Sequence, residues 1–155
     1  MSMSADQSRM TISFLIQDRL FEFGRAVDSK QFHRLDAVFD QNAVGIYNGA
    51  NSHETAAQLI AAMHHNLGVN SHCGVSQHNI LNVQVVQDDD VAAESRAYFY
   101  AIHAGVAAYD GQLWKTWGEY NDFWILTAAG WRIRERRYTT FFSEGPAEIV
   151  TAKPT

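Results

Sequence analysis

Residues 118–136, GEYNDFWILTAAGWRIRER, decide the fold that this sequence predicts. Two runs rich in aromatic and β-branched residues flank a short turn signal, Ala128-Ala129-Gly130. Strands joined by so short a turn are antiparallel neighbours in a sheet. We therefore expect a hairpin with one strand over residues 113–126 and the next over residues 131–142.

Two further strand-like segments precede this hairpin. Residues 77–87 form the first and end at an aspartate triplet, and residues 91–106 form the second. The sequence Tyr109-Asp110-Gly111 then predicts the turn into residue 113. Four long strands in succession, each joined to the next by a short turn, predict an antiparallel meander.

Helical spacing dominates the chain before residue 70. The first helix has an apolar stripe at Ile12, Ile16, Leu20, Phe23 and Val27, and it breaks at Asp28-Ser29-Lys30. We expect a short second helix over 32–39, a strand over 43–47, and a helix whose stripe runs from Ala56 to Leu67 after an Asn51/Glu54 capping signal.

These elements predict an α+β fold. Helices first and strands afterwards favour a strongly curved mixed or antiparallel sheet that forms a cone, with the N-terminal helices packed across its open face. We expect a single domain over residues 1–155, with residues 143–155 as a loose C-terminal tail. The mouth of such a cone suits a small, apolar molecule.

Composition excludes several classes of function. The chain has 155 residues, a net charge of −5 and one cysteine, Cys73. The acidic balance argues against nucleic-acid binding, and a lone cysteine excludes a disulfide framework. No apolar run is long enough to span a membrane, and no signal peptide is apparent, so a cytoplasmic location is the simplest interpretation.

Asp28 and two of the seven histidines are the candidate catalytic residues. Asp28 ends the buried stripe of the first helix, so it either faces water, caps the next helix, or points into the core, where it needs a partner. His78 begins a strand at the rim of the predicted sheet. His103 lies on the uncharged, inward-facing odd positions of its strand, as a core residue or as part of a pocket.

The remaining polar and aromatic residues carry weaker signals. Aromatic residues concentrate in the last two strands, and buried tyrosine hydroxyls there need hydrogen-bond partners. Arg132, Arg134 and Arg136 alternate along the last strand, which predicts one outer, solvated face, with Glu119 paired to one of them. No His-x-His, Cys-x-x-Cys, nucleophile-elbow or phosphate-loop motif occurs, so we expect no metal and no cofactor.

Five segments in order resemble the SnoaL-like group of the nuclear-transport-factor-two-like superfamily, and scytalone dehydratases in particular. They are AVDSKQFHRL (26–35), VGIYNG (44–49), SQHNILN (76–82), AIHAG (101–105) and the closing stretch quoted above, and the resemblance covers about residues 10–142. The group has the cone-shaped fold and generally works without a cofactor.

The resemblance implies specific roles. His78 would be the general base that takes a proton next to a carbonyl, and Asp28 would orient it and stabilise its imidazolium. His103 and Tyr47 would bind or polarise the substrate. The residues implied to line the substrate site are Phe99, Tyr120, Asn121 and Trp124. Val27 departs from the pattern, because scytalone dehydratases have a second tyrosine next to the aspartate. The dehydrochlorinase branch of the group adds a lysine and an arginine, for which this sequence offers no clear equivalent.

Three functions follow from this reading. The first is a cofactor-independent lyase that dehydrates a small hydroxylated cyclic or polyketide-like substrate. The second is an isomerase or cyclase with the same fold, since these reactions also begin with proton abstraction. The third is a non-catalytic binding or assembly module, such as the small subunit of a ring-hydroxylating dioxygenase. Exposed sheet faces favour a homo-oligomer, a dimer or a trimer.

Overall fold

The computed structural model describes residues 4–49, 51–87 and 89–151. Its helices are α1 (Ala5–Asp28) and α2 (Ala56–Leu67). Its strands are β1 (Phe39–Tyr47), β2 (Asn51–His53), β3 (Cys73–Gln87), β4 (Ala92–Gly105), β5 (Leu113–Thr127) and β6 (Gly130–Glu144). Short 3-10 helices cover Phe32–Ala37, Ala107–Tyr109 and Ala147–Val150.

The six strands form one mixed sheet in the order β2-β1-β6-β5-β4-β3. Strands β3 to β6 are the antiparallel meander that the turn signals predicted, while β1 pairs parallel to β6. Helix α1 packs against β3 and β6, and α2 packs against β1. The predicted α+β architecture is therefore confirmed, with the apolar core between the sheet and the helices.

The N-terminal third differs locally from the prediction. The segment after α1 is a 3-10 helix, and β1 begins at Phe39, four residues before the predicted strand. Thr55 caps α2, since its hydroxyl accepts from the Gln58 N–H at 3.2 Å. Asn51 cannot take that role because it lies in β2, a strand that the sequence did not indicate.

A β-bulge in β6 overturns one prediction about the arginines. Trp124 pairs with Ile133 and Phe123 with Glu135, so Arg134 has no partner in the register. One extra residue reverses the alternation of faces. Before the bulge Ile133 is buried, and after it Arg136 is buried, at 2% exposure, instead of lying on the outer face. Glu119, which was expected to pair with one of these arginines, instead lies opposite Thr139 and accepts a hydrogen bond from Asn121.

The C-terminal segment also differs from a loose tail in its described part. Strand β6 continues to Glu144, and the 3-10 helix Ala147–Val150 follows it. Ile149 in this helix is fully buried and lies in a segment that packs against β4 and β5. Residues 152–155 lie outside the described part of the chain.

Candidate active site

Asp28 reaches the sheet because α1 and β3 approach each other closely. A Cβ on Gly24 would lie 3.2 Å from the carbonyl oxygen of His78, so only a residue without a side chain fits easily there. Asp28 follows one turn later, at the last position of α1. The helix end therefore faces residues 76–78, and Asp28 points at them instead of into solvent. His78 is the sixth residue of β3, because the strand begins at Cys73, earlier than the sequence predicted.

Asp28 accepts three hydrogen bonds from β3. Its Oδ1 lies 2.6 Å from Nδ1 of His78 and 2.9 Å from the donating hydroxyl of Ser76. Its Oδ2 accepts from the backbone N–H of His78 at 2.8 Å. An ionised carboxylate only accepts, so Nδ1 of His78 carries the proton and Nε2 keeps its lone pair. That tautomer is the one a general base requires.

These contacts favour the charged form of Asp28. Burial raises the pKa of this carboxyl. The hydrogen bonds and charge of His78 and the hydrogen bond from Ser76 outweigh burial, so the pKa of Asp28 is lower than its ordinary value. The side chain of Asp28 is 21% exposed and that of His78 is 7% exposed. A carboxylate that stays ionised can stabilise a positive charge that appears on the imidazole.

His103 lies on the inward face of β4, as the alternation predicted, and there it is next to His78. The two ring centroids are 5.1 Å apart, and the rings meet edge to face at 85°. His103 is 3% exposed, and its Nδ1 donates to the carbonyl oxygen of Trp114 at 3.4 Å. Burial and then the charge of His78 lower the pKa of His103 to about 3. His103 is therefore neutral when His78 takes up a proton.

Most of the other predicted site residues form an aromatic cluster deeper in the cone. Tyr120 stacks on Phe99 with ring centroids 4.6 Å apart, and Tyr47 contacts Tyr138 at 5.1 Å. Burial raises the pKa of Tyr47 to about 12 and raises that of Tyr120 well above its ordinary value. Both phenols therefore stay protonated and can donate hydrogen bonds.

Two predicted substrate-binding residues have other contacts. Trp124 is fully buried, and its indole N–H donates to the hydroxyl of Ser95 at 2.8 Å. Asn121 lies on the opposite face of β5 from the buried Tyr120, and its amide donates to Glu119 at 3.1 Å. The structure thus brings Asp28, His78 and His103 together, and Phe23 links them to the cluster around Tyr120. Asn121 is separated from both groups by the sheet.

Arg136 is a buried cation that the sequence pattern placed outside. Its Nε and Nη2 donate to the two carboxylate oxygens of Asp122 at 2.7 and 2.8 Å. Its Cζ lies 4.3 Å from the ring centroid of Phe23 and 4.1 Å from that of Tyr120. Burial lowers its pKa, but Asp122 outweighs this and raises the pKa above the ordinary value. Arg136 therefore stays charged.

One donor of Arg136 is unused. Among the residues that the structure describes, none accepts a hydrogen bond from its buried Nη1. A buried donor without an acceptor carries a desolvation cost, which an oxygen atom of a bound molecule would remove. The signal that could have located Arg136 is Asp122, an inward-facing acid on β5 that needs a cationic partner.

A surface groove reaches the Asp28–His78 pair from outside the cone. It lies between α1 and β3, has a volume of about 390 Å³ and is lined by residues that include Phe21, Arg25 and Leu81. Within the described ranges, no group of three or more His, Cys, Asp or Glu side chains could hold a metal ion. No described helix is long and apolar enough to cross a membrane.

A long helix laid against a cone-shaped mixed sheet defines the nuclear-transport-factor-2-like fold. Residues 15–137 match the model of the SnoaL-like domain, so the chain belongs to the SnoaL-like family. No curated protein matches its sequence. Its similarity to solved structures, at identities of 15–20%, shows a shared fold.

Three solved structures illustrate that similarity. A candidate scytalone dehydratase from Novosphingobium aromaticivorans has a TM-score of 0.81 at 15% identity, over 90% of each chain. A candidate aromatic ring hydroxylase from the same species has a TM-score of 0.79 at 20% identity, over 92% of this chain and 98% of that one. The hexachlorocyclohexane dehydrochlorinase LinA type 3 of Novosphingobium barchaimii has 0.77 at 15%, over 97% and 100%.

Proposed function

We propose that this chain is a cofactor-independent lyase that dehydrates a small hydroxylated cyclic or polyketide-like ketone. The observation that carries the proposal is the 2.6 Å contact between Oδ1 of Asp28 and Nδ1 of His78. It fixes the imidazole tautomer and leaves Nε2 with a lone pair that can accept a proton from a substrate.

The proposed reaction begins at the carbon next to the carbonyl. Nε2 of His78 takes the proton, and the C–H electrons form an enolate while Asp28 stabilises the imidazolium. The enolate electrons then re-form the carbonyl and expel the hydroxyl group from the β-carbon. The imidazolium returns its proton to that leaving group, so water departs, the ring gains a double bond, and His78 is restored.

The charge that develops on the carbonyl oxygen needs a hydrogen-bond donor. Tyr47 and Tyr120 stay protonated, and Nη1 of Arg136 is a buried donor with no acceptor among the described residues. We assign substrate binding to this cluster, with Phe99 and Trp124 supplying apolar walls. His103, which is neutral, is assigned to a hydrogen bond with the substrate beside the base.

The comparisons support the reaction class. One similar structure is described as a candidate scytalone dehydratase and another as a dehydrochlorinase, and both names denote eliminations. The third comparison carries a hydroxylase description, which makes a binding or assembly role, such as that of a ring-hydroxylating dioxygenase small subunit, one alternative to test. An isomerase or cyclase is the other alternative, since its reaction also begins with proton abstraction.

The test uses a panel of hydroxylated cyclic ketones, with products followed by mass spectrometry. The wild type is expected to form a product that lacks one water, and His78→Ala is expected to abolish this. Asp28→Asn is expected to lower kcat by several orders of magnitude. His33→Ala, at an exposed position, is the control. Products of unchanged mass indicate an isomerase or cyclase, and full activity in His78→Ala contradicts the assignment of the base.

The outer face of the sheet supports a second proposal, a homo-oligomer. Tyr98, Phe141 and Phe142 are between 49% and 73% exposed, and Tyr98 contacts Phe141 with ring centroids 6.3 Å apart. Exposed apolar clusters of this kind are typical of subunit contacts. A dimer or trimer mass in solution is expected, which Phe142→Glu should reduce. A monomer mass for the wild type contradicts the proposal.

A further inference from the structure

Lys30 has a backbone conformation that is unusual for its residue type. It follows the end of α1 with φ = 59°, in the left-handed region. Its N–H donates to the carbonyl of Val27, and the N–H of Gln31 donates to that of Ala26. These two bonds make a Schellman motif, in which this position is usually glycine because a side chain is strained there. A lysine at this position therefore indicates that its side chain makes contacts that offset the backbone strain.

The side chain of Lys30 makes such contacts with two residues of β3. Its Nζ lies 3.4 Å from the hydroxyl oxygen of Ser76 and 3.4 Å from Sγ of Cys73, both buried on β3. Ser76 gives its single hydroxyl proton to Oδ1 of Asp28 and so can only accept from Lys30. Four groups thus form one directed chain: the ammonium of Lys30, the hydroxyl of Ser76, the carboxylate of Asp28 and the imidazole of His78.

We propose that Lys30 and Ser76 are positioning residues that hold Asp28 as an ionised acceptor aimed at Nδ1 of His78. The effect of these two residues on catalysis rests on the proposed lyase function, whereas the contacts that link them to Asp28 and His78 do not. Lys30 acts only through Ser76, since its Nζ makes no ion pair with Asp28 among the described contacts. Neither residue is expected to touch the substrate.

This chain of hydrogen bonds from Lys30 through Ser76 and Asp28 to His78, here called the relay, matters when His78 becomes positively charged. At that moment Asp28 could take the proton from Nδ1 and lose its charge. A donor bound to the carboxylate favours the anion, and a cation behind that donor strengthens the effect. Ser76 therefore keeps Oδ1 occupied, and Lys30 polarises Ser76 toward it. Without them, the imidazolium would lose part of its stabilisation.

Cys73 contacts the ammonium of Lys30 but does not supply a second base. Burial raises the pKa of its thiol, and Lys30 only partly opposes this. The thiol lies 3.7 Å from the carbonyl of Gly74, to which it can donate. The charged or titratable groups that face Asp28 from the surrounding elements are Arg25, Lys30, Cys73, His78 and His103.

The key variant is Lys30→Gly, because it separates the two roles that Lys30 could have. A residue that serves only the helix end would be improved by glycine, so unfolding in urea should be unchanged or shifted to higher concentration. The relay predicts that the low-field NMR signal of the His78 Nδ1 proton moves upfield or broadens. It also predicts that kcat falls about tenfold with KM unchanged, as when a supporting contact is lost.

Further variants complete the series. Ser76→Ala should raise the pKa of Asp28, measured by carboxyl ¹³C NMR, because one stabilising donor is removed. Ser76→Thr and Lys30→Arg keep a donor and should retain the His78 signal. Lys115→Met is the matched control, since its ammonium contacts only the exposed Glu144 among the described residues.

The outcomes are distinguishable from those that test the function itself. An unchanged His78 signal in both Lys30→Gly and Ser76→Ala overturns the relay, whatever the activity. A changed signal in these two variants, together with no turnover by the wild type on the ketone panel, supports the relay and counts against the lyase. A signal lost equally in Lys115→Met would mean that the change is non-specific, which also overturns it.

Discussion

Asp28 and Asp122 each hold a basic partner, but the two pairs are built differently. Asp122 binds Arg136 through two parallel hydrogen bonds between neighbouring sheet strands, and both side chains are at most 2% exposed. Asp28 binds His78 between a helix end and an edge strand, where its side chain is 21% exposed. The Asp122–Arg136 pair is fixed by its two hydrogen bonds, and the pKa of Arg136 is raised, so its guanidinium stays charged. The other contains a proton that can move, which is what a catalytic pair requires.

The two pairs differ in how rigidly the fold holds them. The Asp122–Arg136 pair lies among stacked aromatic rings, so it orients Nη1 without rearrangement. The Asp28–His78 pair depends on a helix end, one serine and one lysine in a strained conformation. Changes to the first pair should therefore mainly affect folding, and changes to the second should mainly affect the reaction.

The largest expected effect comes from breaking the buried pair. Arg136→Met leaves the Asp122 carboxylate buried without its partner and should lower the free energy of unfolding by about 3–5 kcal/mol. Urea denaturation followed by circular dichroism measures this. The double variant with Asp122→Leu should recover much of the loss, since no charge remains. Equal stability of Arg136→Met and the wild type contradicts the assignment of a tightly coupled pair.

A pH-dependent effect is expected from His103. Its pKa is lowered to about 3 in the folded chain, so the unfolded chain binds this proton first as the pH falls. Its contribution to stability is complete above about pH 6.5 and should decrease by about 2 kcal/mol by pH 5. His103→Gln should flatten the dependence of urea midpoints on pH over this range. His33→Gln, the exposed control, should leave the slope as it is in the wild type.

Asp28→Asn should cost less stability than a change in the buried pair. The asparagine oxygen can still accept hydrogen bonds from β3, so the loss should be about 1–2 kcal/mol. The stability that the wild type gains from ionised Asp28 is fully present above the ordinary carboxyl pKa. It is lost as the pH falls through the lowered pKa of Asp28. The wild type and Asp28→Asn should therefore converge in stability as the pH falls through that lowered pKa. A loss as large as that in Arg136→Met would remove the contrast between the pairs.

The smallest effect on stability is expected from Gly24→Ala. A gain in helix propensity of about 1 kcal/mol opposes the tight contact with the His78 carbonyl, so the net change should stay within about 1 kcal/mol. The helix should shift slightly from β3, which should move the His78 Nδ1 proton signal. Arg9→Ala, at an exposed position of α1, is the control and should leave this signal unchanged.

The sequence predicted regular elements well and irregular ones poorly. His103 could be placed inside the cone because β4 alternates without interruption. Arg136 was misplaced because a single bulge at Arg134 reverses the faces of β6, and no turn or glycine signal marks it. The sequence does not determine the direction of Asp28, since this depends on the close approach of Gly24 to His78, a contact between segments that are distant in the chain.

The most direct test of the central claim follows a carbon-bound proton in deuterated water. Wild-type protein is incubated with hydroxylated cyclic ketones, and ¹H NMR records the proton next to the carbonyl together with the eliminated product. The account predicts that the wild type exchanges or removes this proton and that His78→Gln, which keeps a polar side chain of similar size, does neither. Exchange at the same rate in His78→Gln would contradict the claim that His78, held by Asp28, is the base.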